Sequence, residues 1–185
     1  MKPITKLTAA CACAFALTAP ALYAQTAATQ AASTTAANPL PSVDRDFVQA
    51  ATMSSSTEID AAKLAGDNTD NKDVKSFAHH MMLDHTKLTM ELKMAAPHNV
   101  QVPKDNSDTS ILDALKPLHG PQFDQAYVQK VGIEGHKQAI AAFEKEIAEG
   151  QNASLKKAAQ KALPTIKEHY QMAQQLAPKV GVSGQ

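Results

Sequence analysis

The chain has no tryptophan, and its two cysteines, Cys11 and Cys13, both lie in the first stretch of sequence. Downstream of that stretch there is no thiol, which excludes a disulfide, a thiolate metal ligand and a covalently attached haem. Such a chain folds on its apolar core alone, which is feasible at 185 residues. An excess of charge of one sign is missing too: 18 basic residues face 18 acidic ones. That leaves no electrostatic footprint for nucleic acid or for an anionic lipid surface. No GxSxG, P-loop, CxxCH or HExxH motif occurs, so the common signatures of hydrolases, nucleotide-binding proteins and zinc peptidases are absent. There is no strand-like alternation and no strong internal repeat. A non-covalent haem between His and Met ligands stays compatible with the composition.

What is present begins with an export signal. Lys2 and Lys6 precede an apolar run from Leu7 to Leu22, and small residues lead to Ala24 before Gln25. This reads as a secretory signal peptide over residues 1–24, with cleavage after Ala21 as the alternative. The run is short for a membrane span and contains Pro20. A lipoprotein signal is set aside, because Thr8 stands three residues before Cys11 where Leu is needed. Loss of Lys2 and Lys6 leaves 16 basic residues against 18 acidic, a net charge near −2. Residues 25–41, QTAATQAASTTAANPLP, carry no charge and almost no bulky apolar side chain. They are expected to form a disordered leader. The expected product is periplasmic or secreted, with no transmembrane segment in the mature chain.

Residues 42–178 are expected to form one all-α domain. A first helix is predicted from Ser42 or Asp44 to about Ala65, stopped by Gly66, with a stripe of Phe47, Ala51, Ser54, Glu58, Ala61 and Ala65. A second runs from an Asp70 cap to Pro97, with Val74, Ala78, Met81, His85, Leu88, Leu92 and Ala95 on one face. The stretch 97–120 holds three prolines, a polar run and a short helical piece at Ile111, Leu112, Leu115 and Leu118. It is long for a helix–helix turn and can travel back along the molecule. A third helix opens at Gly120-Pro121 and continues to Gly150, with Val128, Gly132, His136, Ile140, Phe143 and Ile147 as its stripe. Gly132 and Gly135 inside it imply close approach by a neighbour or room beside His136. A fourth runs from about Ala153 to Ala177 through Pro164, where a kink is expected. Two short turns and one long connection predict a ferritin-like four-helix bundle with a long crossover, helices two and three being parallel neighbours.

Each stripe is interrupted once by a ligand-type side chain: Glu58, His85, His136 and His169. At about 1.5 Å per residue, His136 and His169 differ in level by roughly 3 Å, whereas Glu58 and His85 differ by roughly 9 Å. His79 or His80 would lie nearer the level of Glu58. Three imidazoles and a carboxylate suit a transition metal such as iron, copper, zinc or manganese. The plainer alternative is a polar network in which Glu58 satisfies the histidines without any metal. Asp84 and Glu168 immediately precede His85 and His169, and Glu134 stands two residues before His136; all three are expected to flank the site or pair with lysines. A second set, His79, His80, Met81, Met82, His85, Met90 and Met94, contains copper-type ligands, but they do not share one helix face. His98 and His119 sit in the crossover without a pattern.

DRDFVQAA at Asp44–Ala51, EID at Glu58–Asp60 with the following KLA, and VKSFAHHMMLDHTKL at Val74–Leu88 resemble the bacterial domain-of-unknown-function family 4142. So do FDQAYV at Phe123–Val128, His136, and LPTIKEH at Leu163–His169. The resemblance implies an exported ferritin-like helical bundle and no established activity. Di-iron relatives place Glu three residues before His on two helices; here those positions are Met82 and Ile166. Nothing of their ferroxidase or oxygenase chemistry carries over. The first functional reading is a non-enzymatic, metal-binding exported protein with a role in envelope stress or metal handling. The second is a metal-dependent redox or hydrolytic enzyme at the interior cluster. The third is a structural or partner-binding module, its protein partner unknown.

Overall fold

The computed structural model describes residues 40–183, and the regular secondary structure among them is helical. The expected signal peptide, and the leader as far as residue 39, lie outside the described residues. The helices are α1 (Ser42–Asn68), α2 (Lys72–Ala95), α3 (Thr109–Leu115), α4 (Gly120–Tyr127), α5 (His136–Glu149) and α6 (Ala153–Leu176). A π-helical stretch, Val128–Gly135, joins α4 to α5, and a 3₁₀ turn, Ala177–Val180, follows α6. No helix among the described residues is long and apolar enough to cross a membrane.

Polar side chains set the helix ends. The Asn71 side chain accepts from the Asp73 and Val74 amides, so the cap of α2 is one residue later than Asp70. Asn152 caps α6 in the same way. In the first turn of α1, Asp44 accepts from the amides of Gln151 and Asn152, which ties that turn to the α5–α6 connection. The first helix does not stop at Gly66. It runs on to Asn68, whose side chain donates to the carbonyls of Lys116 and Leu118 and so holds the last turn in place.

Two apolar clusters form the core. One gathers Ala61 and Ala65 of α1, Val74 and Phe77 of α2, Phe123 and Tyr127 of α4, and Ala173 and Leu176 of α6. The other gathers Phe47 and Ala51 of α1, Leu92 of α2, Ala139 and Phe143 of α5, and Leu155 and Ala159 of α6. Hence α1 and α2 run antiparallel, as do α5 and α6, while α2 and the rod 120–149 run in the same direction. The main partners of α1 are α2 and α5, and those of α6 are α5 and α2. Helix two and the third rod therefore lie diagonally, not as the neighbours expected from sequence.

The connection explains this. Ser56 donates to the Lys104 carbonyl, the Asp108 amide donates to Thr57, and Ser107 donates to Asp60. The connection is strapped along α1 and delivers the third rod to the far side of that helix.

The third rod is not the uniform α-helix expected across 120–150. Its π-helical stretch contains Gly132 and Gly135. A Cβ on Gly132 would stand 2.8 Å from Ala173 Cβ and 3.5 Å from the Phe77 ring, so the absence of a side chain lets this stretch lie against α6. The widened turn also shifts the buried face beyond it. Ala139, Phe143 and Glu146 are buried, whereas Ile140 and Ile147 are only half-buried. Helix α6 runs through Pro164 as one element.

Two glycine substitutions should therefore act in opposite directions in urea unfolding. Gly132→Ala should lose about 1–3 kcal/mol through overpacking. Gly66→Ala has open space around the new methyl and should gain up to about 1 kcal/mol of helix propensity.

Candidate functional site

His85, His136 and His169 meet in a layer between the two apolar clusters. On α2, His85 falls between Met81 and Leu92; on α6, His169 falls between Ile166 and Ala173. His136 opens α5 at the end of the π-helical stretch. All three are essentially inaccessible to solvent, and their ring centroids lie 5.3 to 5.7 Å apart. One ligand nitrogen from each can be chosen so that all three lie within 4.8 Å of one another.

Each ring is held by its outer nitrogen. His136 Nδ1 lies 3.0 Å from the Val131 carbonyl, which can only accept, so Nδ1 carries the proton and Nε2 is bare. His169 Nε2 lies 2.9 Å from Asp84 Oδ2, and donating there leaves Nδ1 bare. His85 Nδ1 lies 3.3 Å from Ser55 Oγ. The opposite atoms, His85 Nε2, His136 Nε2 and His169 Nδ1, are buried without a hydrogen-bond partner. Burial pushes the pKa of all three below the ordinary histidine value, His136 to about 4, and the neighbouring histidines reinforce this at His85. At His169 the Asp84 carboxylate opposes the shift. The imidazoles are thus neutral, and at His136 and His169 the unpartnered nitrogen carries the lone pair.

Glu58 is placed differently. Its Oε1 lies 3.4 Å from His136 Nδ1, on the side already bonded to Val131, and its Oε2 has no partner. It is not among the atoms of the converging group. Burial holds its carboxyl well above the usual carboxylate range. Ser55, one turn before Glu58, is at the level of His85 and meets it, while Glu58 meets His136. Gly135 leaves room for the carboxyl, since a Cβ there would stand 3.3 Å from Glu58 Oε1. A cleft of about 100 Å³ between α1 and the third rod reaches Glu58, with Gly135 and Lys130 in its wall, but none of the three histidines lines it. The polar network in which Glu58 satisfies the histidines is therefore not the one found.

Sequence reasoning missed the partners behind the rings. Asp84 adjoins His85 but reaches across to His169 on α6 and also pairs with His80 at 3.3 Å. The spacing of four between His80 and Asp84 was the available signal. The Val131 carbonyl and Ser55 carry no sequence signature for this role. Glu134 pairs with Gln129 at the surface. Of the Met-containing set, Met81 is core, whereas Met90 and Met94 are exposed.

The motifs that flank these residues belong to one known group: residues 26–176 match the family model described as domain of unknown function DUF4142. The chain belongs to the DUF4142 family. This DUF4142 domain is also similar to the crystal structure of a protein from Streptomyces coelicolor described as secreted and as DUF305. The two share 14% identity with a TM-score of 0.61, covering 78% of this chain and 97% of that one, a likeness of fold alone. No curated protein matches the chain.

A second buried carboxyl was not anticipated. Glu146 on α5 has no accessible surface and no hydrogen-bond partner at either oxygen. Burial and the nearby Asp44 push its pKa up to about 7. A raised folded pKa contributes stability that is present below the unfolded value of 4.5 and lost as pH rises through about 7. Glu146→Gln should remove that loss. In urea unfolding at pH 5 and pH 8, the variant should lose less stability between the two than the wild type does.

Proposed function

We propose that this DUF4142 protein is an exported metal-binding protein, built as a ferritin-like four-helix bundle with a long crossover, in which His85, His136 and His169 hold one divalent transition-metal ion. The observation that carries the reading is a buried group of three histidines whose ligand atoms lie within 4.8 Å of one another, each ring keeping one nitrogen without a hydrogen-bond partner. Leaving a buried polar group without a partner costs on the order of 1–3 kcal/mol. A metal-free structural cluster gives no compensation for three such groups, whereas an ion coordinated by all three does. The outer hydrogen bonds to Val131, Asp84 and Ser55 are of the kind that fixes the tautomer of a metal-bound histidine.

An all-imidazole set suits zinc, copper or iron. A zinc ion with Zn–N of about 2 Å holds its ligands roughly 3.3 Å apart, so small ring rotations would complete the site. Glu58 stands beside His136 as a protonated carboxyl, available as a further ligand if it ionises on metal binding.

The closed environment favours holding or handling a metal over turning over a substrate, in keeping with a role in metal handling or envelope stress. A metal-dependent redox or hydrolytic enzyme is the second reading, and the cleft that reaches Glu58 is the observation in its favour. Export is supported by the amino-terminal pattern of residues 1–24 and by the description of the Streptomyces protein as secreted.

Metal analysis of the full chain purified without a His tag tests the proposal. Bound metal near one equivalent is expected, with a fall in melting temperature on chelation. At free metal 100-fold above Kd, binding adds about 2.7 kcal/mol of stability. His136→Ala should weaken metal binding and shrink the chelator effect together. A wild type indifferent to chelator, with His136→Ala still about 1–3 kcal/mol less stable, would return the cluster to a structural role.

A further inference from the structure

A second group of ligand-type side chains lies against the outer side of the triad. His80 Nε2 is 3.3 Å from Asp84 Oδ2, and His169 Nε2 is 2.9 Å from the same oxygen. The ligand atoms of the three residues all lie within 4.8 Å of one another. The rings of His80 and His169 meet edge-on with centroids 5.5 Å apart. His80 is nearly half exposed, Asp84 about a third exposed and His169 fully buried. A surface His–Asp pair one helical turn apart is ordinary. Here a third, buried imidazole from another helix offers its outward nitrogen to the same point.

We propose that His80, Asp84 and His169 form an outer site for a divalent transition-metal ion that shares His169 with the buried triad. Two imidazoles and one carboxylate suit such an ion and leave coordination positions open to water on the solvent side. The two sites use opposite nitrogens of one ring. A neutral imidazole has one bare nitrogen, so an ion in the outer site takes Nε2 and leaves the proton on Nδ1, while an ion in the triad does the reverse. Filling both releases the ring proton to solvent and leaves His169 as a bridging imidazolate. The outer ion is therefore held more weakly once the triad is full. The outer site is also the one an ion arriving from solvent meets first. The proposal rests on the triad reading only through the shared ring, and all three outer ligands stand even if the triad binds nothing.

Equilibrium dialysis of the untagged full chain against Zn²⁺ tests it. His85→Ala and His136→Ala each disable the triad and should each retain one zinc. Adding His80→Ala to either should weaken that binding about ten-fold or more, since loss of even a partner behind a ligand costs about 10–100-fold. Zinc uptake unchanged by the added His80→Ala, or absent from the single variants while they keep their helical circular dichroism, overturns the outer site. If a buried variant fails to fold, wild type and His80→Ala are titrated to saturation. Wild type should take up more zinc, and equal uptake overturns the proposal. The triad is judged separately on His80→Ala alone, which keeps all three inner ligands. Loss of all zinc there counts against the triad and leaves the outer site standing.

Discussion

Three buried, neutral imidazoles, each bonded at one ring nitrogen and unpartnered at the other, set the main constraint on this structure. The lock at His136 is the Val131 carbonyl, five residues earlier in the chain. In a regular α-helix that carbonyl would be engaged one residue sooner; the π-helical stretch Val128–Gly135 changes the local pairing and brings it under the ring. Gly132 then lets the widened turn lie against Ala173, and Gly135 leaves space for Glu58. The irregular segment and the histidine layer belong to one local arrangement.

That arrangement divides the core. The apolar clusters on either side exclude water from the layer, which keeps the imidazoles neutral and also denies their inner nitrogens any partner. Asp84 links a buried ring toward the surface, through His80. The opposite flank ends at Glu58, whose burial keeps it protonated and so keeps charge away from His136. The Glu58 flank thus favours an uncharged layer, whereas the Asp84 flank works against it at His169.

Much of this was legible in the amino-acid sequence. His85, His136 and His169 each interrupt an apolar stripe at helical spacing, and counting residues from the short turns put His136 and His169 at one level. The count also separated Glu58 from His85, and the carboxyl lies instead beside His136. What could not be read depends on neighbours that sequence does not name. A π-turn has the same residues as an α-turn, and only the contact of Gly132 with Ala173 gives its glycines a reason. Asp84 was expected to flank the site or pair with a lysine, and it does flank the site, but the ring it meets is on another helix. The diagonal placement of α2 and the third rod follows from side-chain bonds that strap the connection to α1, and its length alone does not reveal them. Gly66 continues a helix because Asn68 finds carbonyl partners on that connection.

The central claim is that the three inward nitrogens converge on one ion. X-ray absorption at the metal edge, on the full chain loaded with one equivalent of zinc, addresses it directly. The account predicts three imidazole nitrogens at about 2.0–2.1 Å in the first shell, falling to two in a folded His85→Ala variant. A first shell of oxygens, or one unchanged by His85→Ala, would contradict it.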